Sequence, residues 1–225
     1  MGNAISAILP QAIGVAISPV PIIAVILMLF SQRARSNGSA FLLGWVLALI
    51  VVGSIVLVLA NAGKISAGGT PSTLAYVLKL LLGLLFLLLS VRQWRSRPKE
   101  GEEPQMPKWM ATIDEFTAGK AFGLSALLAG VNPKNLALTL AAALSIAQAG
   151  LSGAQPWIAL AGFVIIASLT VAVPVLYYLF AGQSAEKALN TWKAWLVANN
   201  ATVMFILFLV LGALLLGQGL GGLIG

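Results

Sequence analysis

The 225-residue sequence has no cysteine and no histidine. That excludes disulfides, thiol redox chemistry, Cys/His metal centres and a histidine proton relay. Acidic residues are few, six in all, and none falls inside an apolar stretch. A proton-coupled carrier of the usual kind keeps an acid or a histidine at membrane depth, so that mechanism has no obvious residue here. No Walker A run occurs, so the chain carries no ATP engine of its own. No serine has the base and carboxylate that would make it a nucleophile, and an intramembrane enzyme is not expected. Neither a cofactor nor a metal site is indicated.

What is present is apolar. Hydrophobic residues make up 60% of the chain and charged residues 8%, too little charge to clothe a soluble surface. The expected class is an all-α polytopic membrane protein. The net charge of +7 does not point to nucleic acid, because the basic residues lie between apolar runs, where topology accounts for them. The start, Met1-Gly2-Asn3-Ala4-Ile5, lacks the positive region of a signal peptide and reads as the lead-in to a first span.

Six transmembrane helices are expected, over about 4–30, 40–60, 73–91, 120–147, 156–180 and 196–216, followed by a Gly-rich tail, 217–225. The loops after the first, third and fifth hold ten Lys and Arg, against only Lys64 on the other side. The positive-inside rule places the three basic loops in the cytoplasm and both termini outside. Residues 92–119 form the one long charged segment. Within it, 108–116 is amphipathic and reads as a helix lying on the membrane surface, with a gate or a docking surface as the alternatives.

Two places inside apolar runs are polar and proline-bearing: Ser18-Pro19-Val20-Pro21 and Asn132-Pro133-Lys134-Asn135. An interior proline removes a helix hydrogen bond, and a lysine at bilayer depth costs roughly 3 kcal/mol on insertion scales. Ser and Asn are good N-caps and Pro favours the first helical position, so each place reads as the start of a new half-helix. The first and fourth spans, overlong for the bilayer, are therefore expected to break near the midplane.

The halves also match each other. Residues 17–22 align with 131–136, 43–46 with 161–164, and 82–85 with 211–214. Three spans per half is odd, so the halves are expected to be inverted repeats: 1–92, then a charged cytoplasmic linker 93–119 with the amphipathic segment, then 120–225. The symmetry brings the two half-helix starts together. Ser18, Pro19, Pro21, Asn132, Pro133, Lys134 and Asn135 then become candidates for a midplane site that takes an anionic group. The alternative is a pair of proline kinks with Lys134 bonded to the carbonyls that the break frees. Lys79, Asp114, Glu115 and Lys120 are candidates for gating; for Lys79 the simpler reading is an ammonium that snorkels to the interface. Gly44, Gly53, Gly83, Gly162 and Gly212, with Ala141, Ala142 and Ala143, favour close helix contacts and leave a homodimer open.

The stretches Ile13–Pro21, Pro107–Asp114, Gly119–Gly123 and Gly130–Asn135 resemble the GAP family, the peptidoglycolipid-addressing proteins, which include the sulfolipid-addressing proteins of mycobacteria, in the lysine-exporter (LysE) superfamily. The resemblance covers nearly the whole chain. It implies a six-span protein of an actinobacterial inner membrane that helps move cell-envelope glycolipids outward, alongside larger lipid exporters. It assigns the functional positions to the same Ser-Pro-Val-Pro and Asn-Pro-Lys-Asn residues. The reading is a transporter of an amphiphilic, anionic or glycosylated envelope lipid. The alternatives are an exporter of a small acidic solute and a non-transporting accessory subunit of a larger lipid exporter. Membrane lipids are the expected partners.

Overall fold

The computed structural model describes residues 2–61, 73–97 and 108–224, and among these every regular element is helical. Eight α-helices follow in order: α1 (Gly2–Ala16), α2 (Pro19–Leu29), α3 (Ala34–Asn61), α4 (Thr73–Arg95), α5 (Ala118–Gly130), α6 (Pro133–Gln148), α7 (Gln155–Ala181) and α8 (Glu186–Ile224). Short 3₁₀ segments cover Lys108–Glu115 and Gly182–Ala185. The Lys64 loop and the Lys99–Glu103 run lie outside the described residues.

Ala34–Ala60, Tyr76–Arg95 and Gln155–Ile224 are each long and apolar enough to cross a membrane. Two bent pairs also qualify when each is taken as one span: Ile5–Ala16 with Pro19–Leu29, bent by 51°, and Ala118–Gly130 with Pro133–Gln148, bent by 60°. The chain is a membrane protein, and large apolar side chains such as Leu43, Val51, Leu88 and Ile165 face outward. That is the arrangement lipid solvent demands.

The stretch Gln155–Ile224 is 70 residues long, which as one straight helix would reach about 105 Å. It does not run straight. Gly182, at φ 56°, ends α7 in a conformation that suits glycine. Tyr177 and Trp192 then meet with ring centroids 6.0 Å apart, so the chain reverses there, and α8 goes on to pack on α4 and α2. The Gly-rich tail expected after 216 is not a tail, because α8 continues to Ile224. Gly219 and Gly222 there are packing residues, whereas Gly217 and Gly221 face open space. A Cβ on Gly219 would lie 2.8 Å from the Leu80 backbone nitrogen of α4.

The bundle is built on a few close helix pairs. The broadest joins α4 and α8. There the Gly83 and Gly212 backbones approach so closely that a Cβ on Gly83 would lie 3.0 Å from the Gly212 carbonyl oxygen, and Phe86 stacks at 5.5 Å on Phe208. Helix α3 packs on α5, where Gly44 lies against Phe122 and Ser125, and on α6 and α7. Helix α1 packs on α6 and α7. Trp45 and Phe163, which share one position in the aligned halves, are both fully buried.

The amphipathic segment 108–116 packs against the helices. It forms a 3₁₀ helix packed on α2, with Met110 and Ile113 in the core. Its end is pinned by Asn37 of α3, whose Nδ2 donates to Phe116 O at 2.9 Å and to Ser31 Oγ at 3.2 Å.

Candidate functional site

Both expected breaks are present, and each new helix begins with its proline: α2 at Pro19 and α6 at Pro133. Proline tolerates that position because the missing N–H would be unpaired there anyway. The two breaks are closed by different means.

At the second break, Asn132 caps α6 as its residue type suggests. Its Oδ1 accepts from the Lys134 backbone N–H at 3.1 Å. The preceding helix also ends within its own segment. The N–H groups of Val131 and Asn132 each donate to Leu127 O at 2.9 Å, and Asn135 Nδ2 donates to Leu128 O at 2.8 Å.

At the first break, Ser18 is extended (φ −117°, ψ 95°) but makes no side-chain cap on α2. This differs from the expected capping serine. The hydroxyl turns back instead and donates to Val15 O at 2.6 Å. Its single proton has one other acceptor in reach, Asn135 Oδ1 at 3.1 Å. The N–H groups of Ile17 and Ser18 donate to Ile13 O and Ala16 O, each at 2.8 Å, and the other partners at the end of α1 come from elsewhere. Thr170 of α7 donates to Ala16 O at 2.5 Å.

Lys134 supplies the rest. Its Nζ donates to Gly14 O at 2.7 Å, to Ser18 Oγ at 2.6 Å and, more loosely, to Ile17 O at 3.5 Å. The lysine is 6% exposed. It sits in the first turn of α6, at that helix's positive end, and reaches across to the negative end of α1. The ammonium thus lies on freed carbonyls, the arrangement given above as the alternative to a free anion site. Two of its three N–H groups make short charge-assisted bonds. The third, at 3.5 Å, is beyond the usual N–H···O range.

Two apolar cavities flank this place. One, of about 580 Å³, is lined by Leu9, Pro10 and Ile13 of α1, by Ile17 at the break and by α8 residues including Ile206, Val210 and Leu214. The other, of about 470 Å³, is lined by Ile22, by Leu169 to Pro174 of α7, and by Thr191 to Leu196 of α8. Ile17 belongs to the first, Ile22 to the second and Trp195 to both. The cavities therefore lie on either side of the first break, along one face of α8. Each falls in the size range of a small-molecule or lipid-tail site.

Of the residues singled out from sequence, Ser18, Lys134 and Asn135 come together, and Asn132 stands beside them as a cap. Pro19 and Pro21 are buried in the first turn of α2, whereas Pro133 is exposed. Lys79 is buried on α4 and takes no part in this network. Glu115 and Lys120 are exposed near the start of α5, and the side chain of Asp114 lies outside the described part. Sequence reasoning passed over Gly14 and Thr170. A hydroxyl in the apolar run of α7 was the available signal for Thr170. Gly14 gave none, because the carbonyl it contributes belongs to every residue type.

The model of a protein family described as "Sap, sulfolipid-1-addressing protein" matches residues 8–221. No curated protein and no solved structure matches the chain.

Proposed function

The chain belongs to the sulfolipid-1-addressing protein family, and from that premise we propose that it moves an amphiphilic envelope lipid, anionic or glycosylated, across the inner membrane. One observation carries the reading: two apolar cavities along α8 share Trp195 and lie on either side of the polar break between α1 and α2, one reaching Ile17 and the other Ile22. Lipid tails suit the cavity walls, and a head group finds polar partners at the break. The Ile17 carbonyl holds the third N–H of Lys134 loosely, at 3.5 Å, and the Ile17 side chain lines the larger cavity. A sulfate or sugar oxygen arriving from that cavity takes this N–H. The two short bonds meanwhile keep the lysine in place.

The same proposal counts six crossings, with α7 and α8 taken separately, in two inverted repeats over 1–92 and 120–225. The similar bends of 51° and 60° and the meeting of Gly83 with Gly212 support it, because equivalent residues meet where a two-fold axis passes. The basic loops would then be cytoplasmic and both termini outside. A small acidic solute is a weaker reading. Lys134 lies on carbonyls, and the adjoining space is apolar.

The test is mass spectrometry of lipids retained through purification in mild detergent, with wild type beside Lys134→Ala and Val210→Trp. The second variant fills the larger cavity without touching the break. Enrichment of an anionic or glycosylated lipid in wild type, lost in both variants, is the expected result. Bulk lipid alone in all three samples overturns the reading.

A further inference from the structure

Among the described residues four buried side-chain polar atoms have no partner: Asn37 Oδ1 and Trp45 Nε1 on α3, Ser168 Oγ on α7 and Asn200 Oδ1 on α8. Each has essentially no solvent-accessible area, and Trp45 is the largest fully buried side chain among the described residues. An indole N–H left unpaired in an apolar interior is costly, and the two on facing helices, Trp45 and Ser168, call for a common explanation.

Their positions supply one. Helices α3 and α7 run antiparallel, with Gly53 against Leu160 near one end and Gly38, where a Cβ would lie 3.8 Å from Val175, near the other. In both contacts the residue numbers add to the same total. That register sets Trp45 level with Ser168, between the two contacts and on the same helix faces. Two residues further along α7, Thr170 bonds the frayed end of α1 at Ala16. These two unpaired atoms therefore belong to the neighbourhood of the first break, on the α3 side of α7.

We propose that Trp45 and Ser168 together form a buried oxygen-binding subsite between α3 and α7, which takes one oxygen of water or of a hydroxylated or sulfated head group. The indole offers a donor only, and the serine hydroxyl offers both a donor and acceptors. An oxygen with lone pairs and a proton satisfies both at once, whereas a cation has no partner at the indole. Two polar partners are the lower limit for a held water, and a ligand hydroxyl anchored by its own chain needs no more.

The experiment is NMR of the full-length protein with ¹⁵N-labelled indoles. The chain has six tryptophans, and Trp45→Phe identifies the signal by its loss. Spectra are taken in nanodiscs of phosphatidylcholine alone and in nanodiscs doped with a sulfated glycolipid. Expected is a hydrogen-bonded Trp45 N–H that Ser168→Ala shifts. A cross-peak to water in plain nanodiscs names water as the oxygen, and a shift on glycolipid doping names the head group. A Trp45 signal that responds to Ser168→Ala but shows neither water contact nor lipid response means a direct Trp–Ser bond and overturns the subsite. So does a signal that responds to nothing. The readout needs no transport, so it stands or falls apart from the lipid-moving function.

Discussion

The two helix breaks look alike in sequence and in bend, yet one is self-contained and the other is not. The Asn132-Pro133 break closes with its own residues: the Asn132 cap, the Leu127 carbonyl and the Asn135 amide on Leu128. The Ser18-Pro19 break leaves the end of α1 to be finished by Lys134 of α6 and Thr170 of α7. The second break is a donor of groups, and the first receives them. A break completed from outside can be undone by moving its neighbours, which makes the first the better place for a passing head group.

The sharpest way to test this asymmetry is to remove the donor. Lys134→Met leaves Gly14 O and Ser18 Oγ without their charged partner, at a cost of about 3 kcal/mol. Thermal unfolding in detergent should show the loss. Hydrogen exchange should rise at the end of α1 while α6 stays protected. Equal exposure of both breaks would erase the distinction. Asn135→Leu comes next. It removes a bond within the second break and a contact to Ser18 in the first, so both should loosen, by about 2 kcal/mol together. Thr170→Val keeps the shape and removes only the bond to Ala16. About 1 kcal/mol is expected, with faster exchange confined to the first break. Asn132→Ala removes a cap worth about 1 kcal/mol at most sites, and should loosen α6 alone. The smallest effect belongs to Ser18→Asn. If Ser18 were an N-cap the change would be neutral, but here it should weaken lipid retention by disturbing the Lys134 contact without much change in melting temperature.

How far this could be read from sequence depends on the range of the contacts. Pro19 and Pro133 located both breaks because proline acts on its own turn. Asn132 was legible as a cap for the same reason. Ser18 carries an equally good cap signal, but its hydroxyl answers to Val15 O and Lys134, and the lysine lies 116 residues away. Composition and apolar runs gave the membrane class. The packing of Met110 and Ile113 on α2, and the extension of α8 through its glycines to meet Tyr76 and Leu80, depend on which surfaces meet, and no local pattern encodes that. No local pattern joins Trp45 to Ser168 either; the α3–α7 register sets them level.

The bond from Lys134 to Gly14 also has a consequence in time. Its partners are 120 residues apart, and ribosomes add about 5–20 residues per second. The first half of the chain therefore waits roughly 6–24 s after Gly14 is made before its lysine exists. Throughout that interval α1 and α2 stand in the insertion machinery with unfinished carbonyls, and the newborn protein depends on water or on the machinery's own polar groups to hold the first break open until its second half arrives.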